Sequence, residues 1–168
     1  MKVIETERLV LEEMVAEDAA FMLKLLNTPS WLKYIGDRNV HTIEEARNYL
    51  LYGAMNSYKK SGFGFYRVRL KDSDTIIGTC GLVKRDTLED VDIGFAYLPE
   101  YEKKGYAFEA AAGTLEFAKS TLQLKRIVAI TLENNESCIR LLKKLGLQYE
   151  RNVRFDETEE LMLFGITW

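Results

Sequence analysis

A chain of 168 residues with 47% hydrophobic side chains is long and apolar enough to bury a full core as one domain, residues 1–168, which excludes a disordered chain. Its net charge of −3 lacks the basic surface of a nucleic-acid binder, and no apolar run has the length of a membrane span. One histidine, His41, and two cysteines outside any ligand spacing, Cys80 and Cys138, give no basis for a metal site or a histidine-based triad.

The first nine residues are too charged for a signal peptide, and the sparse cysteines fit a reducing cytoplasm. Residues 6–13 alternate, with Leu9 and Leu11 on one side, and predict a first strand. Residues 17–27 carry Ala19, Met22, Leu23 and Leu26 at helical spacing, and Pro29 prevents this helix from continuing. Residues 30–38 have no clean period; Trp31 and Tyr34 there either line a pocket or anchor a loop in the core. Thr42-Ile-Glu-Glu45 is a capping box, which puts His41 on the surface just before a helix. That helix is expected to reach Lys59-Lys60, with Gly62 just past its end. Residues 63–70, 75–83 and 91–98 read as three strands of an antiparallel meander, with turns at Asp72-Ser-Asp74 and at residues 86–90. Gly78 and Gly81 mark bulges or close contacts.

Residues 105–119 predict a helix with small side chains, Ala107, Ala110, Ala111, Thr114 and Ala118, beside Leu115 on its buried face. Residues 126–132 are apolar on both faces and predict a covered central strand. A strand, helix, strand unit implies that this strand runs parallel to the one ending at Leu98, by a right-handed crossover. Asn134 opens a last helix with Cys138, Leu141, Leu142 and Leu145 at helical spacing, and Gly146 ends it. Residues 147–155 and 160–166 close the chain as a hairpin around Asp156-Glu-Thr158. The whole order predicts a single α/β domain with a mixed, mostly antiparallel sheet flanked by helices.

The chemistry concentrates between Leu98 and the helix after it. Pro99 stops the strand, and Glu102-Lys103-Lys104-Gly105 forms a short charged loop. Such a loop aims unsatisfied backbone N–H groups out of a helix N-terminus, where the macrodipole adds partial positive charge and an anion such as a phosphate binds. Gly105 lets a ligand approach the backbone, and the two lysines add full charges. An ordinary loop with a turn glycine fits the same four residues, so both readings stay open on local features.

Three motifs then line up: Asp92-Ile-Gly-Phe95, Lys104-Gly-Tyr-Ala-Phe-Glu-Ala110, and Asn134-Asn-Glu-Ser137 with Lys143-Lys-Leu-Gly-Leu147. With Glu5-Thr-Glu-Arg-Leu9 and Ile77-Gly-Thr-Cys-Gly81, the chain resembles a GNAT-superfamily N-acetyltransferase over nearly its whole length. It is most similar to the Rim-type group, whose founding members acetylate the N-termini of ribosomal proteins. The resemblance implies an acetyl-CoA donor and a primary-amine acceptor, either a protein N-terminus, a polyamine or another small molecule, and no metal. It implies splayed central parallel strands that part past Leu98, with the pantetheine arm bonded to the free strand edge. The pyrophosphate would lie on the amides of Lys103, Lys104, Gly105, Tyr106 and Ala107. Backbone N–H groups near Tyr97 and Leu98 would stabilise an oxyanion. Asn134 resembles the cofactor-contacting asparagine of the family, and it also suits a plain helix N-cap.

Asp92 matches the segment where several family members place a catalytic glutamate, which makes it the candidate base; a structural aspartate paired to Lys or Arg is the alternative. Family members often carry Gln or Arg where Glu102 stands, so an acidic side chain there must turn away from the pyrophosphate. The position of the family's thiolate-protonating tyrosine is Leu142. Ser137, one turn earlier, is the nearest candidate acid and cofactor contact, or a first-turn serine without a catalytic role. The segment holding Trp31 and Tyr34 and the one around residues 154–160 are expected to shape the acceptor pocket. A non-catalytic CoA-binding or sensing domain remains the competing reading, favoured by Leu142 alone. A nucleotide-phosphate enzyme lacks its Gly-x-x-x-x-Gly-Lys-Ser/Thr loop. Either a monomer or a homodimer is compatible with the sequence.

Overall fold

The computed structural model describes residues 1–155 and 159–168. Eight strands, β1 (Lys2–Glu5), β2 (Leu9–Glu13), β3 (Phe65–Leu70), β4 (Ile76–Val83), β5 (Asp92–Tyr97), β6 (Arg126–Thr131), β7 (Gln148–Arg154) and β8 (Glu160–Thr167), form one sheet. Their order is β1-β2-β3-β4-β5-β6-β8-β7, and every neighbouring pair is antiparallel except β5 and β6. The mixed, mostly antiparallel α/β architecture and the meander of β3, β4 and β5 are therefore as the sequence predicts.

Helices cover both faces. On one side lie α1 (Ala19–Leu26), α2 (Pro29–Tyr34), α3 (Ile43–Tyr52) and α4 (Ala54–Ser61). Their core of Met22, Leu25, Leu26, Trp31, Ala46 and Leu50 meets Met14 and Leu98. On the other side α5 (Tyr106–Ser120) and α6 (Glu136–Lys144) pack on the sheet. Ala110, Ala111, Leu115 and Ala118 of α5 and Leu142 of α6 join Leu9, Val68, Ile77, Ile127 and Phe164 in the larger core. The small side chains let the α5 backbone lie close to the strands.

Three elements differ from the sequence reading. A separate strand, β1, precedes the expected first one, and β2 begins only at Leu9. Pro29 does end the preceding helix, but it also starts a new one: it stands in the first turn of α2, where its missing N–H is no loss, and Thr28 caps that turn by accepting from the Trp31 N–H. The single helix expected from residue 43 to residue 60 is broken at Gly53, which adopts φ −97° and ψ −101° between α3 and α4. A Cβ on Gly53 would lie 2.6 Å from the Tyr49 carbonyl oxygen, so only glycine permits that break. Thr42 caps α3 as expected, while the Glu45 carboxylate accepts from the backbone N–H of exposed His41 rather than from Thr42. The expected turn at residues 156–158 lies outside the described residues.

Gly78 and Gly81 are close-contact positions, and the β3–β4 register shifts beside Gly78. A Cβ on Gly81 would lie 2.2 Å from the Gly64 carbonyl oxygen and 2.7 Å from the Phe65 Cα, both backbone atoms that cannot turn aside. Gly81→Ala is expected to destabilise the fold by about 1–3 kcal/mol through overpacking, read as a lower urea midpoint at unchanged m-value. An unchanged midpoint would show that β3 and β4 can separate freely at this point.

Candidate active site

The two parallel strands touch at one place. Among the described residues β5 and β6 pair only at Asp92↔Val128, where the Val128 N–H also donates to the Val91 carbonyl at 3.0 Å. Beyond that rung β6 stays bonded to β8 as far as Thr131↔Met162, and β5 stays bonded to β4 as far as Tyr97↔Gly78. The facing edges are left open. The divergence thus begins just after Asp92, not past Leu98 as expected, because each strand follows its antiparallel partner.

The antiparallel ladder also decides which backbone groups face the gap. Leu98 donates its N–H to the Ile77 carbonyl at 2.9 Å. Since bonding direction alternates along a strand, Gly94 and Ala96 also turn toward β4, while Ile93, Phe95 and Tyr97 turn to the open edge. Leu98 is therefore corrected: its amide is engaged in the sheet and is not a free oxyanion donor. Tyr97 keeps that position.

Past Leu98 the chain makes a single 3-10 turn, Pro99–Tyr101, and Glu102 is extended again. Lys103 and Gly105 then adopt left-handed conformations, with φ 61° and 85°. Left-handed residues in a tight loop gather backbone N–H groups into an anion-binding concavity. Gly105 is the N-cap of α5 and brings no side-chain cap, so the first-turn donors of Tyr106, Ala107 and Phe108 have no side-chain acceptor among the described residues. Glu102 accepts from the Ser30 hydroxyl at 3.4 Å, which ties its carboxylate to α2, and the residue lines the same cleft as Lys103 and Gly105.

The loop opens on a cleft of about 1600 Å³ that runs between the open strand edges and the α1–α4 layer. Of the residues singled out from sequence, Trp31, Tyr34, Asp92, Tyr97, Lys103, Gly105, Ala107 and Ser137 line it together. Lys104, Tyr106 and Asn134 are not among its walls. The Lys104 carbonyl and the Tyr106 ring instead face Arg8. The α6 cap is Asn135, whose side chain accepts from the Cys138 N–H at 3.3 Å; Asn134 stands one residue outside it, exposed. Two consecutive asparagines offer the same cap chemistry, so sequence alone does not separate them. Asn135 also lines the cleft, a residue the sequence reading passed over.

Asp92 lies at the floor of the cleft and is 1% exposed. The Arg85 Nε lies 3.1 Å from one carboxylate oxygen and 3.3 Å from the other. Burial pushes the Asp92 carboxyl up to about 6, against the opposing pull of Arg85 and, more weakly, Lys84. Glu100, another carboxylate near the loop, is exposed, 3.9 Å from Lys24 and outside the cleft walls. Ser137 is exposed in the first turn of α6, whereas Leu142 is fully buried, and both line the cleft. The Trp31 Nε1 is buried without a partner among the described residues.

A sheet split between two parallel strands, with an uncapped helix N-terminus at the mouth of the split, is a frame that can receive a phosphate-bearing ligand with an extended arm. The cradle has room for such a group: Gly105 stands at φ 85°, where side chains are rarely tolerated, and the amides beside it lack a cap. Residues 8–148 match the acetyltransferase (GNAT) domain family, and the chain belongs to that family. The uncharacterized N-acetyltransferase YnaD of Bacillus subtilis is 31% identical over 147 residues, covering 88% of this chain and 83% of that one. Among solved structures, ribosomal-protein-S5-alanine acetyltransferase from Vibrio fischeri superposes with a TM-score of 0.82 at 21% identity, over 99% of this chain and 96% of that one. RimL, a ribosomal-protein α-N-acetyltransferase solved in complex with coenzyme A, superposes with a TM-score of 0.86 at 11% identity, over 99% and 98%. Among the described residues no helix is long and apolar enough to cross a membrane.

Proposed function

We propose that this enzyme transfers an acetyl group from acetyl-CoA to a primary amine by direct attack within a ternary complex, in the manner of the Rim-type group. The observation that carries the reading is the single rung between β5 and β6 beneath the uncapped end of α5. When bound, acetyl-CoA supplies an activated thioester carbonyl. The amides of residues 105–108 and the Lys103 side chain would hold the diphosphate. The open edge of β5 would hold the pantetheine arm, and the Tyr97 N–H, on that edge, would stabilise charge on the thioester carbonyl oxygen. Trp31 and Tyr34, across the cleft, pack against the acceptor. Asp92 takes the amine proton, directly or through a water. Ser137 donates to the departing sulfur.

The Ser137 role is tested by Ser137→Ala. Because that hydroxyl is exposed, water replaces part of its function. The expected loss is about tenfold in kcat, below the ~10²–10⁴ of a fully positioned acid, with KM for acetyl-CoA within twofold. Steady-state kinetics that leave kcat unchanged would remove Ser137 from the reaction.

The acceptor is tested by following thiol release from acetyl-CoA with a panel of amines: polyamines, amino acids, and peptides with varied N-terminal residues. Turnover with one class and not the others identifies it. A protein that binds CoA and releases thiol with none would favour the sensing reading, for which buried Leu142 at the family's tyrosine position is the supporting observation.

A further inference from the structure

Arg8 lies in the turn between β1 and β2, far from the cofactor loop in sequence. We propose that Arg8, anchored by Glu109, is a positioning residue that orients the loop at residues 103–105 to receive the diphosphate of the acyl carrier. This rests on the reading of that loop as the acetyl-CoA site.

Glu109 sits one turn into α5 and is almost wholly committed to the turn above it. One carboxylate oxygen accepts from the Thr6 hydroxyl at 2.5 Å and from the Arg8 backbone N–H at 2.8 Å. The other accepts from Arg8 Nε at 2.7 Å. Burial alone would raise the Glu109 carboxyl, but the bonds from Thr6 and Arg8 hold it below its usual value. The turn is seated on the helix one turn further on, because Gly113 has no side chain: a Cβ there would lie 3.0 Å from the Thr6 methyl and 3.3 Å from Ile4 Cγ2. The guanidinium is fixed from below as well, over the Tyr106 ring at 4.4 Å.

Arg8 also reaches the loop. Its Nη1 donates to the Lys104 carbonyl at 3.2 Å. A peptide unit is planar and trans, so its C=O and N–H point in opposite directions. Gripping the Lys104 carbonyl therefore directs the Gly105 N–H away from Arg8, and Gly105 itself lines the cleft. Nη2 lies within 3.2 Å of where a Gly105 Cβ would stand, so the guanidinium backs the glycine directly. The loop needs such a support. Lys103 holds a left-handed conformation that disfavours a non-glycine residue, and a loop released from Arg8 would relax out of it.

The test compares wild type with Arg8→Ala, Arg8→Lys and Glu109→Gln, using CoA and pantetheine as titrants and acetyl-CoA and S-acetylpantetheine as donors. Pantetheine lacks the diphosphate. The expected result for Arg8→Ala is a tenfold weaker CoA affinity and a tenfold higher KM for acetyl-CoA, with kcat and both pantetheine constants within twofold. Arg8→Lys keeps the charge but not the fork that holds Glu109 and the loop together, and it is expected to remain defective. Glu109→Gln keeps the shape and is expected to show the same pattern more weakly. If Arg8→Lys restores full affinity, simple charge attraction replaces the brace. If pantetheine and CoA weaken together, Arg8 acts on the fold as a whole. Unchanged CoA affinity in Arg8→Ala overturns the brace alone, whereas a wild type that does not bind CoA overturns the reading of the loop together with it.

Discussion

Replacing Asp92 with asparagine is expected to lower kcat/KM by ~10²–10⁴-fold at pH 7, with the loss shrinking as pH rises. An ammonium group has no lone pair, so a proton must leave before or during attack. In the wild type the acceptor of that proton is a carboxyl that burial has pushed up to about 6. It is therefore mostly ionised at pH 7 and able to take a proton; as pH falls through about 6 it protonates and its contribution disappears. Asparagine has no such limb. The variant depends on amine that is already neutral, a fraction that grows toward the amine's own pKa, ~7.7–8.0 for an α-amino group and ~10.4 for a lysine side chain. The pH at which the two profiles converge thus also reports the acceptor class. The measurement is a pH–rate profile of variant against wild type at saturating acetyl-CoA, with thermal unfolding as the control for loss of the Arg85 pair. Parallel profiles would make Asp92 a structural partner of Arg85. Glu100 would be a poor substitute base, exposed beside Lys24 and outside the cleft, so a water chain would carry the proton.

Gly105→Glu is expected to weaken CoA binding a hundredfold or more, about 2.8 kcal/mol, measured by calorimetry. Three effects act together. The backbone there is left-handed, which disfavours any side chain with a Cβ. The new side chain would crowd Arg8 Nη2 or enter the cleft. It would also set a negative charge where the phosphates must lie. Gly105→Asn separates these effects, because asparagine tolerates the left-handed region and adds no charge. It is expected to fold normally and to lose less affinity. A folded Gly105→Glu protein that binds CoA as tightly as wild type would remove this loop from the site.

What the sequence shows and what it hides follow from physical range. The meander, the covered strand β6 and the small-residue face of α5 are local periodicities, and they are legible. The loop of residues 102–105 is legible for the same reason: Pro99 and Gly105 set its backbone within a few residues. β1 has only four residues, and no glycine or proline separates it from β2, so the two merge on paper. α2 is six residues long, too short to show a period, and its proline reads as a stop when it is also a start. The Arg8–Glu109 brace joins positions 101 residues apart, and nothing local announces it. Glu109 and Gly113 fall outside the small-residue face of α5, and only the docked turn makes them part of a seam. The point of divergence between β5 and β6 depends on pairing register, which apolar composition does not encode.

The strand order carries a consequence for assembly. From β1 to β6 the order in the sheet is the order in the chain, so each new strand finds its partner already placed. β1 with β2, and β3 with β4 and β5, pair through short-range antiparallel contacts, the kind that form fast and need little loop closure, whereas β2 meets β3 across the four helices, Leu9 against Leu70. β7 breaks the sequence, since it joins the sheet only through β8, which follows it. β6 likewise has one rung to its predecessor and gains its full ladder only when β8 arrives. During synthesis the half of the molecule that carries Arg8, Trp31 and Asp92 can therefore settle early, while the far wall of the cleft waits for β8 to leave the ribosome.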